Sequence, residues 1–223
     1  STRKVPLVYM QNSGLGNAIN PLISLCDPDV YSIPMLVMVG WRGEPGVNDE
    51  PQHIKQGKIQ ESILNAINLP YQIISKDDSM YEEKFSSSID QAVNKKRPVI
   101  ILVKKGAFEK YKKNHQKSNS LKMYREEALD TILNLLESKT IVVSTTGKAS
   151  REIFEIRDRK KESHEKDFLT VGSMGHCSSI ALGIALAKPN RKIFCIDGDG
   201  AMLMHLGSLA TIGKIKPNNF YHI

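Results

Sequence analysis

Long apolar runs, cysteines and aromatic residues are the scarce features of this 223-residue sequence. No apolar stretch approaches the roughly 20 residues that cross a bilayer, which excludes a membrane-spanning helix. No basic-then-apolar leader with a small-residue cleavage site is recognisable either, so the expectation is a soluble protein without a membrane partner. Cysteine occurs only as Cys26, Cys177 and Cys195. An odd number without metal-type spacing argues against both a disulfide framework and a zinc site, and points to a reducing cytoplasm. Aromatic residues make up 6% of the chain, with Trp41 the single tryptophan, expected to pack rather than to bind. What is abundant excludes disorder: 40% of the residues are hydrophobic and 25% charged, over a length that fits one large or two small domains.

The net charge of +7 is concentrated rather than spread. Lys104, Lys105, Lys110, Lys112, Lys113, Lys117, Lys122 and Arg125 fall in one stretch that also holds Asn114, His115, Ser118, Asn119 and Ser120. Few apolar residues and no nucleic-acid motif accompany it, so residues 107–122 read as a solvated basic linker and no nucleic-acid partner is expected.

On either side of that linker the pattern alternates between strands and helices. In residues 1–106 the runs Val5–Met10, Pro34–Val39 and Val99–Val103 are short, rich in Val, Ile, Leu and Met, and read as buried parallel strands. A helix is expected over Asn17–Leu25 after a Gly-rich turn, another on the stripe Ile59, Ile63, Leu64 and Ile67 until Pro70 stops it, and another over Met80–Val93; Tyr71–Ile74 reads as a further strand. In residues 123–223 an apolar stripe (Ala128, Leu129, Ile132, Leu133, Leu136) predicts a helix, then strand Thr140–Val143 and a helix from about Ser150. The charged run Arg157–Lys166 reads as an exposed loop. Phe168–Val171, helix His176–Ala187, strand Lys192–Ile196 and helix Ala201–Ile212 complete the order. Both blocks are therefore α/β with parallel sheets. The sequence starts on Ser1 and enters a strand pattern almost at once, and Phe220–Ile223 reads as another strand, so the expectation is a segment of something longer.

Three polar turns of the second block fall where parallel sheets place ligands, between the carboxyl end of a strand and the next helix. They are Ser144-Thr145-Thr146-Gly147, Gly172-Ser173-Met174-Gly175 and Asp197-Gly198-Asp199-Gly200. Glycines let the last turn approach a ligand closely, and the free N–H groups of a helix start favour phosphate. A carboxylate there repels phosphate unless a divalent cation stands between them, and Mg²⁺ takes hard oxygen ligands from one or two carboxylates plus phosphates. The plain alternative is a tight turn.

Ile196-Asp197-Gly198-Asp199-Gly200-Ala201 resembles the opening of the thiamine-diphosphate signature, and Gly172-Ser173-Met174-Gly175-His176 resembles the preceding loop of its diphosphate-binding domain. Gln11-Asn12-Ser13-Gly14-Leu15-Gly16-Asn17-Ala18-Ile19-Asn20-Pro21-Leu22, Gly40-Trp41-Arg42-Gly43-Glu44-Pro45-Gly46 and Asp49-Glu50-Pro51-Gln52-His53 are similar to the phosphonopyruvate decarboxylase family, to which the sulfopyruvate decarboxylases are close. The resemblance spans essentially the whole chain. It implies an α/β architecture of two thiamine-diphosphate-binding-fold domains, pyrimidine-binding type over 1–106 and diphosphate-binding type over 123–223, both truncated. It also implies thiamine diphosphate and Mg²⁺ as cofactors, a small 2-oxo acid as substrate, and a homo-oligomer, at least a dimer.

Residue by residue, the resemblance makes Asp199 the metal ligand, and Gly200, Ala201, Thr145 and Thr146 the holders of the diphosphate. Gly172 offers its carbonyl to the aminopyrimidine beside Ser173, and Met174, bulky and uncharged, is the wedge that bends the cofactor. Ser13, Gly14, Gly16 and Asn17 line the pyrimidine side of a neighbouring subunit's cofactor. Arg42 and His53 are anchors for an anionic substrate, with a salt bridge for Arg42 and a structural hydrogen bond for His53 as the alternatives. His176 moves protons or satisfies a helix start, and His205 packs or faces solvent. The family's activating glutamate is expected upstream of the Val5 strand and its Asn-Asn downstream of Ile223. Asn218-Asn219 falls too early to replace the latter, so the segment alone is expected to be inactive. The expected reaction of the parent protein is decarboxylation of 3-phosphonopyruvate to phosphonoacetaldehyde. The alternatives are sulfopyruvate or another 2-oxo acid as substrate, or a non-catalytic cofactor-binding fragment.

Overall fold

The computed structural model describes residues 4–111 and 123–223, and the chain divides into two units, Ser1–Asn114 and His115–Ile223. The basic linker expected over 107–122 lies, for residues 112–122, outside the described residues.

The first unit runs β1 (Leu7–Gln11), α1 (Asn12–Ser24), β2 (Met35–Gly40), α2 (Pro51–Lys58), α3 (Gln60–Ala66), β3 (Tyr71–Ile74), α4 (Tyr81–Lys95) and β4 (Pro98–Val103). Its sheet is parallel, in the order β1-β2-β4-β3. The central strand β4 is buried at every position because helices cover both faces. Ile100 and Leu102 pack with Leu15 and Leu22 of α1 and Leu64 of α3, while Val99, Ile101 and Val103 pack on the other face with Ala92 of α4. That is why Pro98–Val103 is a continuous apolar run rather than an alternating one. Each fully buried aliphatic side chain contributes about 1.5–3 kcal/mol.

The loop after β2 meets α2 backbone to backbone. A Cβ on Gly57 would lie 1.9 Å from the Gly43 carbonyl oxygen, and one on Gly43, whose φ is +68°, would lie 1.9 Å from the His53 carbonyl oxygen. Trp41 lies buried beside this contact and donates from Nε1 to the Gly57 carbonyl at 2.9 Å, so the tryptophan packs as expected.

The second unit runs α5 (Arg125–Leu135), β5 (Ile141–Ser144), α6 (Lys148–Arg159), β6 (Asp167–Leu169), α7 (Cys177–Ala187), β7 (Ile193–Ile196), α8 (Asp199–Met204), α9 (Ser208–Ile215) and β8 (Phe220–His222). Its parallel sheet is ordered β6-β5-β7-β8. Helices α5 and α6 bury Leu129, Leu133, Ile153 and Ile156 against Val142 and Ile196. On the opposite face α7 packs Cys177, Ala181 and Ala185 on Val143, Ile193 and Cys195, its small side chains letting it lie close to the strands.

Four expectations are corrected. Strand β1 is not buried: it lies at a sheet edge, with Leu7 57% and Tyr9 68% exposed, because only β2 pairs with it. Helix α1 starts at Asn12 rather than Asn17, so Ser13, Gly14 and Gly16 are helical rather than part of a turn. The Asn12 side chain holds that start by accepting from the Arg42 N–H at 3.1 Å and donating to the Arg42 carbonyl at 2.8 Å. The charged run from Arg157 is not simply a loop: its first residues end α6, and Arg157 is tied to Asp167 at 3.1 Å and Glu162 at 2.6 Å. Finally, the single helix expected over Ala201–Ile212 is two helices, broken at 205–207, with α9 tied to α7 through the Ser178 and Ser208 hydroxyls at 3.1 Å.

The Gly43–Gly57 contact yields a direct prediction. Gly57→Ala should destabilise the first unit by roughly 3 kcal/mol, since the methyl has backbone rather than a flexible side chain to displace. Urea unfolding followed by Trp41 fluorescence checks this, and an unchanged midpoint would show that the contact relaxes freely.

Candidate active site

Crossovers in the second unit leave its two central strands in opposite directions. From β5 the chain turns back to β6 through α6 on one face, whereas from β7 it goes on to β8, and α7, which delivers β7, lies on the other face. The loops after β5 and β7 therefore part above the sheet and open a crevice at its carboxyl edge, the usual ligand position in open parallel sheets.

Thr145, Thr146, Gly172, Ser173, Met174, His176, Asp199, Gly200 and Ala201 all lie in the three loops and helix starts at this edge. The loops are stitched together by short polar contacts. The Thr145 N–H donates to the Ile196 carbonyl at 2.9 Å, the Thr170 hydroxyl to the Ser144 carbonyl at 2.8 Å, and the Thr146 hydroxyl to the Val171 carbonyl. Thr145 is buried, yet its Oγ1 has no hydrogen-bond partner among the described residues. A buried hydroxyl left unsatisfied calls for a ligand or water. Beside it, a Cβ built on Gly200 would meet nothing within 4 Å, so the turn leaves open space over the start of α8.

The two aspartates of the turn differ sharply. Asp197 points inward with its side chain 5% exposed: Oδ1 accepts from the Gly198 N–H at 2.9 Å, and Oδ2 lies 3.2 Å from Nε2 of His222. Asp199 is exposed at the first position of α8, with no hydrogen-bond or ion-pair partner among the described residues. An outward carboxylate, an unsatisfied hydroxyl and an open glycine suit a diphosphate with a hard divalent cation.

Residues 172–176 form a tight loop in which Ser173 has φ +52° and Gly175 φ +92°. Met174 is 44% exposed and takes no part in the core. Nδ1 of His176 lies 3.0 Å from the Ser173 carbonyl. A carbonyl only accepts, so Nδ1 carries the proton and Nε2 of the neutral ring is left with its lone pair.

In the first unit, Ser13, Gly14, Gly16 and Asn17 occupy the first turns of α1, and the Asn12 clamp holds them beside Arg42. Arg42 makes the salt bridge kept open as its alternative. Its Nε and Nη2 donate to the two Asp49 oxygens at 2.8 and 2.6 Å, and the Gly43 and Glu50 N–H groups donate to the same carboxylate at 2.7 and 2.8 Å. This donor set, led by the Arg42 guanidinium, holds the Asp49 carboxyl well below the usual carboxylate range. Three of the five guanidinium N–H groups remain outside the bidentate pair. Burial, reinforced by the nearby Arg42 charge, lowers the His53 pKa and favours its neutral ring, whose Nδ1 is buried without a partner among the described residues. A cavity of about 400 Å³ opens beside Arg42, lined also by Tyr9, Gln11, Lys104, Lys105 and Phe108. Lys104 pairs with Glu44 at 2.9 Å and lies 5.7 Å over the Trp41 ring.

Sequence reasoning missed Asp49 as the partner of Arg42, assigned Lys104 and Lys105 to linker charge, and did not weigh His222. It set Asn218-Asn219 aside as a metal site but gave it no other role. Asn219 instead donates to the carbonyls of Ala185, Lys188 and Arg191 at 2.8–3.1 Å, closing the end of α7. Cys177, Cys195 and Asp197 bring donor atoms within 4.8 Å of one another. Contact with Cys177 and burial push the Cys195 thiol far up, so Cys195 stays a thiol and packs against Cys177 as a small apolar side chain.

Residues 145–222 match the thiamine pyrophosphate enzyme C-terminal TPP-binding domain. Over 96% of its length the chain is 35% identical to phosphonopyruvate decarboxylase of Streptomyces viridochromogenes, covering 55% of that protein, and 31% identical to sulfopyruvate decarboxylase of Methanosarcina acetivorans, covering 58%. It is also 44% identical to the sulfopyruvate decarboxylase subunit beta of Methanococcus maripaludis, over 45% of this chain and 50% of that one. The chain thus spans little more than half the length of the curated relatives it matches over most of its own length. The likeness carried by the sequence motifs extends across both units.

The Arg42–Asp49 pair has a pH signature. The folded pKa of Asp49 lies below the unfolded value of about 3.9, so the pair's stabilisation is fully present above that value and is lost as pH falls through the folded one. Asp49→Asn should cost about 1–3 kcal/mol at pH 7. The gap from wild type in Trp41-detected urea midpoints should narrow steadily below about pH 4. A gap that persists in acid would assign the loss to something other than the ion pair.

Proposed function

We propose that the chain is part of a thiamine-diphosphate- and Mg²⁺-dependent decarboxylase that converts 3-phosphonopyruvate to phosphonoacetaldehyde and CO₂, a step of phosphonate biosynthesis. The observation that carries this reading is the crevice between β5 and β7, where the unpartnered Thr145 hydroxyl, the open Gly200 and the outward Asp199 carboxylate lie along one sheet edge. The likeness to phosphonopyruvate decarboxylase supports it.

In this reading Asp199 holds the metal, while Thr145, Thr146 and the amides around Gly200 and Ala201 bind the diphosphate. The Gly172 carbonyl and Ser173 meet the aminopyrimidine, and Met174 supports the bend of the cofactor. When bound, thiamine diphosphate supplies the electron sink into which the carboxylate's bonding pair passes as CO₂ leaves. The protein's part is to orient and to move protons. His176, with Nδ1 fixed on Ser173, presents Nε2 to take up or return the single proton that replaces CO₂ on the substrate carbon. Ser13, Gly14, Gly16 and Asn17 line the pyrimidine side of a neighbouring copy's cofactor, so the working form is at least a dimer. Arg42, through the N–H groups that Asp49 leaves free, anchors the phosphonate, and neutral His53 flanks it. Three buried free cysteines suit a reducing cytoplasm, and among the described residues no helix is long and apolar enough to cross a membrane.

Sulfopyruvate is the second substrate reading, favoured by the likeness to sulfopyruvate decarboxylases. The test uses the full-length protein with Mg²⁺ and thiamine diphosphate. CO₂ release from 3-phosphonopyruvate is expected, and brisk release from sulfopyruvate alone would overturn the substrate. Asp199→Asn should weaken Mg²⁺-dependent cofactor binding, measured by calorimetry, at least roughly tenfold. Unchanged affinity would remove Asp199 from the metal site.

A further inference from the structure

His205, half-buried at the end of α8, has no part in the mechanism above, yet it lies directly against the loop that carries His176. A Cβ built on Gly175 would lie 2.6 Å from Cδ2 of His205, 2.9 Å from the Ala201 carbonyl oxygen and 3.1 Å from Cβ of Met204. The backbone of the 172–176 loop is therefore seated on α8 with the imidazole as part of its floor. One residue further on, the rings of His176 and His205 lie with centroids 4.2 Å apart at 52°, in van der Waals reach. The loop needs such a support. Ser173 holds a left-handed φ of +52°, a conformation costing a non-glycine residue roughly 1 kcal/mol or more. The Ser173 carbonyl is the group that sets the His176 tautomer.

The chemistry of the contact is also legible. Nε2 of His205 is buried and has no hydrogen-bond partner among the described residues. The ring therefore supports the loop by its shape and aromatic face. Resting on the decarboxylase reading above, we infer that His205 is a positioning residue, whose ring holds the Gly172–His176 loop on α8 and so presents Nε2 of His176 to the reacting centre. Helix α8 then serves the site from both ends: Asp199 lies at its start and His205 follows its last residue, about 9 Å further along the axis.

The test compares His205→Ala and His205→Phe in the full-length protein loaded with Mg²⁺ and thiamine diphosphate. It measures kcat and KM for 3-phosphonopyruvate, cofactor affinity, and the rate at which diethylpyrocarbonate modifies His176, read by peptide mass spectrometry. His205→Ala should lower kcat roughly tenfold or more with KM and cofactor affinity within about threefold, and should change the modification rate of His176 at least about threefold. His205→Phe, which restores an aromatic ring without its nitrogens, should bring kcat and the modification rate back near wild type. It also keeps the test open should the alanine variant fold poorly. Wild-type kcat and His176 reactivity in His205→Ala would overturn the inference, as would a phenylalanine variant no better than alanine. Should the wild-type protein decarboxylate no 2-oxo acid, the proposed function fails, while a His176 modification rate altered in alanine and restored in phenylalanine still supports the positioning role.

Discussion

The last rung of the β5–β7 ladder, the Thr145 N–H donating to the Ile196 carbonyl, ties together the strand ends on which the candidate site depends. It lies at the carboxyl ends of β5 and β7, neighbours in the sheet but not in the chain. Right-handed crossovers send the chain from β5 one way and from β7 the other, so no connection covers the sheet edge between them. The polar groups of the site gather there because of topology. Thr145, Gly198 and Asp199 need only be small, polar and at strand ends for the crevice to acquire donors and a carboxylate.

A different constraint governs the first unit. Gly43 and Gly57 allow the loop after β2 to lie on α2 with backbone against backbone, and Arg42, Asp49 and His53 are gathered around that contact. Arg42 precedes Gly43, His53 supplies the carbonyl facing it, and the Gly43 N–H donates to Asp49. The Asn12 clamp adds the start of α1 to the same assembly. Arg42 is thus held by its main chain and by its guanidinium, and in the anchoring role proposed for it would lose little further entropy on meeting an anion. Preorganisation of this kind raises affinity without new contacts.

Much of this was legible in the sequence, and the failures have a common cause. Hydrophobic pattern reports whether a segment is covered, not what its neighbours are. Val5–Met10 and Val99–Val103 look alike as short apolar runs, yet β4 is central and β1 lies at an edge, a difference set by strand order. The polar turns were readable because glycine, threonine and aspartate gathered at strand ends add little to a core and much to a ligand site. His205 and His222 were not, since their partners, Gly175 and Asp197, are 30 and 25 residues away. Asn219 is a different case: a residue type suited to metal binding, set aside because it falls too early in the chain, closes the end of a helix because three carbonyls converge on it.

Asp197-Gly198-Asp199-Gly200 also shows how one turn can carry two carboxylates beside a site for an anion. Two exposed charges there would repel a diphosphate twice over. Instead, Gly198 lets the chain turn between them, and the carboxylates face opposite environments. Asp197 is taken into the fold, where the Gly198 N–H and His222 satisfy its oxygens. Buried and hydrogen-bonded, it braces the turn against β8. Asp199, turned outward, keeps its charge available at the mouth of the crevice. In the function proposed above, a divalent cation there would convert that charge from an obstacle to phosphate into its anchor, since the cation binds both. The second aspartate is left free for the ligand role proposed for it because the first is structural.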